Sequence, residues 1–322
     1  MARAFVMEFE RPIAELEDKL VALKRLDVSG EPELAAEIAG LEVEIVKLRD
    51  TLYSSLSAWE RVQVARHPER PRTQDYIEAL FEDVIELRGD RAYGDDEAMF
   101  AGLATINGRR VAVLGHRKGK GTKQNIKRNF GMPQPEGFRK ARRIMQLAGR
   151  FGIPLVTFLD TQGAYPGIES EERGVAWAIA ECLATLSRLP VPVVCVGIGE
   201  GGSGGALAIG VGDRLIMLQN AYYSVITPEA CSSILFKDAS RACEVAPALT
   251  MTAEDLVRLG LADEIVPEPP GGAHRDPEPV LLAVREAIVG ALSELASEPA
   301  DEIVANRYER LRAVGVHTEG GA

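Results

Sequence analysis

Long apolar runs are missing from this sequence. No stretch reaches the roughly 18 consecutive apolar residues that a membrane-spanning helix needs, so no such span is expected. The opening stretch, MARAFVMEFERP, places acids within its first ten residues and has no long apolar run. It does not read as a signal or transit peptide, and the cytosol is the expected compartment. Cysteine is scarce: Cys182, Cys195, Cys231 and Cys243 are the four present, and no two form a CxxC pair. That excludes a zinc ribbon within this chain and points to buried, reduced thiols. No metal site is expected. Aromatic residues make up only 6% of the chain and are not interleaved with the bases, which argues against a nucleic-acid-binding surface.

What is present is a chain of 322 residues with 46% hydrophobic content, enough for one large core, or for one core plus an appended helical element. Net charge is −11 but unevenly spread. Residues 109–150 hold thirteen Lys/Arg and one acid, Glu136, a balance of +12; the remaining 24 bases and 47 acids give −23. A basic block in an acidic protein marks a docking place for something anionic, or else a solvated helix face. A phosphorylated cofactor or carboxylated ligand suits the pattern better than nucleic acid.

Periodicity divides the chain. Ile13, Leu16, Leu20 and Leu23 recur at helical spacing. Gly30 and Pro32 break the pattern, and Leu34, Ile38, Leu41, Ile45, Leu48 and Leu52 then form a narrow a/d seam. An N-terminal helical hairpin over residues 1–66 follows from this. The pattern predicts a helix over 75–87, strands over 102–106 and 110–114 joined by Asn107-Gly108, and a basic helix over 136–151. Strands over 154–159 and 191–196 each run into a glycine-rich segment, with a helix over 169–189 between them. A helix from 206, a strand over 214–218, a helix over 252–260, an edge strand over 261–266 and a helical tail from 279 complete the reading. Strand, loop, helix, strand is the mark of stacked α/β units.

The segment Gly199-Glu-Gly-Gly-Ser-Gly-Gly205 concentrates the chemistry. Gly197 to Gly202 fits the dinucleotide pattern G-x-G-x-x-G, but no acid ends the next strand near Gln219. Gly201-Gly-Ser203-Gly-Gly205 fits the nucleophile elbow, with Asp263 and His274 following in hydrolase order. A third reading needs no side chain: Gly204 and Gly205 sit where a helix begins, so their N–H groups lack internal partners and form an oxyanion hole. One such donor is worth roughly 3–4 kcal/mol of transition-state stabilisation. A glycine turn used only for tight packing is the fourth.

Six motifs then stand in order: Phe9-Glu-Arg-Pro-Ile-Ala-Glu-Leu-Glu17, Ala65-Arg-His-Pro68, Gly89-Asp-Arg-Ala-Tyr-Gly-Asp-Asp96, Asn129-Phe-Gly-Met-Pro-Gln-Pro-Glu-Gly137, Asp160-Thr-Gln-Gly-Ala-Tyr-Pro-Gly167 and Gly199 to Gly210. Together they resemble the alpha subunits of bacterial-type acetyl-coenzyme A carboxylase carboxyltransferase, over nearly the whole chain. The resemblance implies an α/β, crotonase-like fold of repeated ββα units. It implies transfer of a carboxyl group from carboxybiotin, on a separate biotin carboxyl carrier protein, to acetyl-CoA, giving malonyl-CoA for fatty acid synthesis. It further implies an α2β2 assembly whose beta subunit carries the zinc ribbon and most of the CoA site, with biotin carboxylase in the wider complex.

By resemblance, Gly204 and Gly205 face the oxyanion that forms on biotin, and the partner subunit faces the enolate. The biotin ureido nitrogen itself takes the methyl proton, in keeping with few general bases here. Gly163 and Ala164 would form the second wall, with Gly201 and Gly202 beside it. Lys118, Lys123 and Arg128 are the candidate anion-binding groups of the basic block, alongside Lys120 and Lys127. Gln162 stands where the family usually has proline, which removes a restraint and adds an N–H. The expected division is the hairpin (1–66), a carboxyltransferase domain (67–295) and a helical tail (296–322). Two rival classes are a serine hydrolase acting through Ser203 and a non-catalytic scaffold subunit.

Overall fold

A computed structural model describes residues 5–25 and 32–315; the predicted break at Gly30, the first four residues and the end of the tail beyond 315 lie outside them. The N-terminal helices are α1 (Arg11–Lys24) and α2 (Pro32–Tyr53). They run antiparallel, since Lys24 pairs with Glu42 at 2.5 Å while the earlier Glu17 pairs with the later Arg49 at 2.7 Å. Ile13, Leu41 and Ile45 of the seam are buried, and its other members are half-buried. The hairpin is clamped to the body at its base. Arg275 reaches Glu10 and Glu17, each at 3.0 Å, and the Tyr53 hydroxyl donates to Glu10.

Two short helices, α3 (Ala58–Ala65) and α4 (Thr73–Leu80), lead into the sheet. Its strands are β1 (Glu82–Glu86), β2 (Met99–Ile106), β3 (Arg109–His116), β4 (Leu155–Thr161), β5 (Val193–Gly202), β6 (Arg214–Leu218), β7 (Tyr222–Ser224) and β8 (Glu264–Val266). The order is β1-β2-β3-β4-β5-β6-β8, with β7 paired to the far end of β5. β1, β2 and β3 are antiparallel and the rest parallel. Every residue of β4 and β5 is buried, as expected for parallel strands covered on both faces.

The connections are helical. α5 (Thr122–Lys127) and α6 (Pro135–Phe151) join β3 to β4; α7 (Ile168–Glu172) and α8 (Val175–Leu186) join β4 to β5; α9 (Ser203–Leu207) follows β5. α6 starts on a proline and ends at Gly152 (φ 64°), and it buries Phe138, Ala141, Ile144, Met145 and Ala148 on one stripe. Beyond the sheet come α10 (Pro228–Phe236), α11 (Ala242–Val245), α12 (Ala253–Arg258), α13 (Pro277–Leu295) and α14 (Ala300–Arg312).

Several sequence expectations change. The helix over 75–87 stops at Leu80, because residues 82–86 pair with β2 through a bulge at Asp83 (φ 51°). The helix over 169–189 is two pieces, parted by Gly174 in the left-handed region (φ 76°). The strand expected to end at Val196 continues to Gly202. The hairpin at Asn107-Gly108 forms as expected, with φ of 48° and 73°. Among the described residues no helix is long and apolar enough to cross a membrane.

α14 is fastened by Arg310, on Asp263 and the Leu261 carbonyl, and more deeply by Arg307. Arg307 is fully buried, meets both Asp213 oxygens at 2.8 and 2.7 Å, and donates to the carbonyls of Leu186, Leu189 and Val191. Removing one partner of such a pair strands a buried charge. Arg307→Ala is expected to cost about 3–5 kcal/mol, read from urea unfolding of the full chain; a loss under about 1 kcal/mol would contradict this account of the tail.

Candidate active site

The site begins with an irregularity between β4 and β5. Leu159 pairs with Gly197, but two residues later Thr161 pairs with Gly201, so β5 carries two extra residues there. The Asp160 carboxylate fills the gap and accepts the Glu200 N–H at 3.2 Å. It fits because Gly199 has no Cβ, which would otherwise lie 2.5 Å from Asp160 Oδ1. The glycines of the dinucleotide-like pattern are therefore strand residues, not a phosphate loop, and that reading falls. β5 changes partner at this point, from β6 at Val194–Gly197 to β7 at Glu200–Gly202.

β5 then turns sharply into α9. Ser203 is in the left-handed region (φ 51°) and exposed. Gly204 and Gly205 lie in the first turn of α9, three residues earlier than the helix start expected from sequence. Neither of their N–H groups has an acceptor among the described residues. α9 has only five residues, so its dipole adds little; the unpaired amides themselves supply the positive edge.

The segment after β4 lies directly on this turn. A Cβ on Gly205 would overlap the Gly163 carbonyl carbon and stand 2.5 Å from the Ala164 nitrogen. A Cβ on Gly202 would overlap the Gln162 carbonyl. Gly204 is different: its nearest neighbours are the Ile179 methyls at 3.6 and 3.7 Å. Thr161 holds the loop, its hydroxyl donating to the Gly163 carbonyl (2.7 Å) and accepting the Gly163 N–H (3.1 Å). The Tyr165 N–H is fixed on the Pro133 carbonyl. Gly163 thus spends its N–H internally, whereas the Ala164 N–H has no acceptor among the described residues. Gln162 is exposed, its amide 3.2 Å from Met132 sulfur, and the loop is held without a proline. Gly201 and Gly202 are buried in β5, Gly201 against the Tyr223 ring.

Beneath the two segments lies a charged network. Lys118 Nζ stands 2.8 Å from Asp160 and 2.6 Å from Glu200. Glu200 also accepts from Arg66 (2.6 Å) and from the Tyr222 hydroxyl (2.7 Å), and Arg66 continues to Glu229. Burial alone would push the Glu200 carboxyl up, but Lys118 and Arg66 hold it down to about 2. His116, the last residue of β3, is fully buried in the same place. Its Nε2 is 3.1 Å from the Gly205 carbonyl, and its Nδ1 is 3.3 Å from the Asp160 nitrogen. Sequence reasoning missed it; the only local signal was a histidine closing a strand two residues before Lys118.

The basic block is mostly spent inside the chain. Arg117, Lys118, Lys120, Lys127, Arg139, Lys140 and Arg142 pair with Glu86, Asp160, Asp75, Glu97, Asp90, Asp95 and Glu181. Acids from outside the block fold back onto it, so its +12 is not an open anion surface. Lys118 itself is turned inward. Lys123 is exposed, and neither it nor half-buried Arg128 has a carboxylate partner among the described residues. Arg128 donates to the Lys118 carbonyl at 2.9 Å. The hydrolase triad is not assembled. His274 stacks on His67 with ring centroids 3.8 Å apart, and Asp263 holds the Leu215 N–H and Arg310. No group of three or more metal-ligating side chains occurs among the described residues.

Comparison with known proteins agrees over nearly the whole chain. Residues 6–315 match the family described as acetyl co-enzyme A carboxylase carboxyltransferase-like. An acetyl-coenzyme A carboxylase carboxyl transferase subunit alpha from Methylococcus capsulatus is 53% identical over 97% of this chain and 98% of its own length. The counterpart from Thermus thermophilus is 51% identical over 97% and 99%. Among solved structures, transcarboxylase 12S with methylmalonyl-coenzyme A bound aligns with a TM-score of 0.59 at 19% identity, covering 74% of this chain and 45% of that one. A Pseudomonas malonate decarboxylase hetero-dimer aligns at 0.57 and 19%, covering 74% and 96%. These crotonase-type neighbours establish the fold.

Two outcomes follow from the geometry. Gly204→Ala adds a methyl at ordinary contact distance and gains up to about 1 kcal/mol of helix propensity, while Gly205→Ala forces backbone apart. Thermal unfolding should leave the first unchanged or raised and lower the second; equal melting points would refute the packing described here. Burial pushes His116 down to about 4, and burial with His67 beside it pushes His274 to about 3. Both sit well below the ~6.5 of an unfolded histidine. The unfolded chain thus binds more protons below that value, so stability is full above it and is lost as pH falls towards 4. The melting temperature should decline from about pH 6.5 downward; a flat profile down to the carboxylate range would contradict it.

Proposed function

The chain belongs to the acetyl-coenzyme A carboxylase carboxyltransferase family, as an alpha subunit, and from that premise we propose that its backbone, not its side chains, meets the charge of the reaction. The enzyme moves a carboxyl group from carboxybiotin to acetyl-CoA to form malonyl-CoA. The Gly204 and Gly205 N–H groups donate to the ureido oxygen as negative charge gathers there, with the Ala164 N–H as the third donor. The observation that carries this reading is the set of three neighbouring amides without acceptors among the described residues. Gly163, Gly201 and Gly202 contribute by letting the two walls approach. Lys118 acts from behind, holding Asp160 and Glu200, while Lys123 and Arg128 are the basic groups left to meet an anionic substrate or the carrier.

The partner is a carboxyltransferase beta subunit in an α2β2 complex that supplies the CoA site, the enolate's donors and the zinc. The biotin carboxyl carrier protein and biotin carboxylase complete the system, which works in the cytoplasm. The exposed Ile168, Trp177 and Leu207 on α7 to α9 support a partner surface beside the turn. The transfer domain spans 67–295, flanked by the hairpin (1–66) and the tail (296–322).

Reconstitution with the beta subunit tests the reading, with malonyl-CoA measured from acetyl-CoA and the carboxylated carrier. Gly205→Ala should lose about 100-fold or more of the rate. Ser203→Ala should stay within about threefold, and a fluorophosphonate probe should not label the chain. Full activity in Gly205→Ala would return the turn to a packing role and favour the scaffold. Loss of activity in Ser203→Ala, with labelling of Ser203, would favour the hydrolase.

A further inference from the structure

The Gly205 carbonyl is an orphan of α9. The helix ends at Leu207; the Ala208 N–H goes to Gly204, the Ile209 N–H to Ala206 and the Gly210 N–H to Leu207. Among the described residues no amide reaches the Gly205 oxygen, and its partner is His116 Nε2. A carbonyl only accepts, so Nε2 must carry the proton. Burial and the nearby Lys118 ammonium outweigh the Gly205 and Phe158 carbonyls, which favour protonation, and disfavour a second proton, which leaves Nδ1 as the acceptor for the Asp160 N–H. The ring is itself held firmly. Its residue pairs with Met99 in the β2–β3 ladder, and the Thr73 hydroxyl donates to its carbonyl.

We propose that His116 is a positioning residue for carboxyl transfer: one neutral imidazole joins the start of the 160–167 segment to the Gly205–Ala206 peptide, which adjoins the peptide carrying the Gly205 N–H, and so restrains the Gly204 and Gly205 amides against the Ala164 wall. His116 touches no substrate. Its action is to hold a carbonyl that has no other partner among the described residues, in the peptide next to the one that carries the Gly205 N–H. The inference rests on the role given above to the 204–205 amides. Loss of this brace frees the Gly205–Ala206 peptide and with it the ψ angle of Gly205, so the adjoining Gly205 N–H is held only through the Ala208 bond to the Gly204 carbonyl, and a misplacement of that kind costs about tenfold to a hundredfold in rate.

The test compares two amides in the reconstituted complex. An asparagine at this position reaches only as far as Nδ1, so it keeps a partner for the Asp160 N–H and abandons the Gly205 carbonyl. A glutamine reaches the place of Nε2. His116→Asn should lower kcat about tenfold or more with KM for acetyl-CoA unchanged, and His116→Gln should recover kcat to within about threefold at a similar melting temperature. Equal kcat in the two variants overturns the proposal. If Gly205→Ala is inactive while His116→Asn keeps its kcat, only this inference falls; if both stay active, the reading of the turn falls with it. A measurement on the unaltered chain decides the matter even if the variants fold poorly. Nitrogen-15 NMR of labelled histidine should show Nε2 protonated and Nδ1 bare between about pH 6 and pH 9. A proton on Nδ1, or titration within that range, overturns the proposal.

Discussion

The ammonium of Lys118 sits between two carboxylates, 2.8 Å from Asp160 and 2.6 Å from Glu200, and each carboxylate opens one of the two segments that build the site. Asp160 and Glu200 are buried and Lys118 is mostly covered, so removing Lys118 would leave Asp160 without its cation at large cost. Arg66 and the Tyr222 hydroxyl complete the account of Glu200. The spacing of the two segments is therefore set by charge beneath them rather than by contacts at the mouth of the site. The irregular pairing of β4 and β5 depends on the same cluster, since Asp160 takes the N–H that the ladder leaves free.

On that base, the absence of side chains becomes useful. At Gly202 and Gly205 the facing neighbour is backbone, so no rotamer change could make room for a methyl group. The two peptides are pressed together, and the amides of Ala164, Gly204 and Gly205 have no acceptor among the described residues. A donor set made of backbone needs no proton of its own and does not titrate. It suits a reaction whose difficulty is charge appearing on oxygen. It also explains why few histidines suffice. His116 is kept neutral by burial, and His67 and His274 stack against each other where the N-terminal section meets the body.

The parts of this protein fixed by near neighbours in sequence were legible. Asn107-Gly108 dictates its turn, the stripe from Phe138 to Ala148 dictates α6, and the a/d seam dictates the antiparallel pair α1 and α2. The buried strands were visible as apolar runs, and the glycines of the turn as a helix start. The hydrophobic period and the freedom of glycine are local properties, and six ordered motifs were enough to place the chain in its family.

What only the tertiary structure decided depends on partners far along the chain. Residues 82–86 are strand because β2 offers an edge, although their own pattern is helical. The basic block looked like an anion surface because its acids, from Asp75 to Glu181, are supplied by other elements. Lys118 faces inward for the same reason. Gly163 and Ala164 are alike in sequence, yet the Thr161 hydroxyl takes one amide and leaves the other. Charge pairing and hydrogen bonding act over a few ångströms in space, whatever the separation in sequence, and composition alone does not carry that distance.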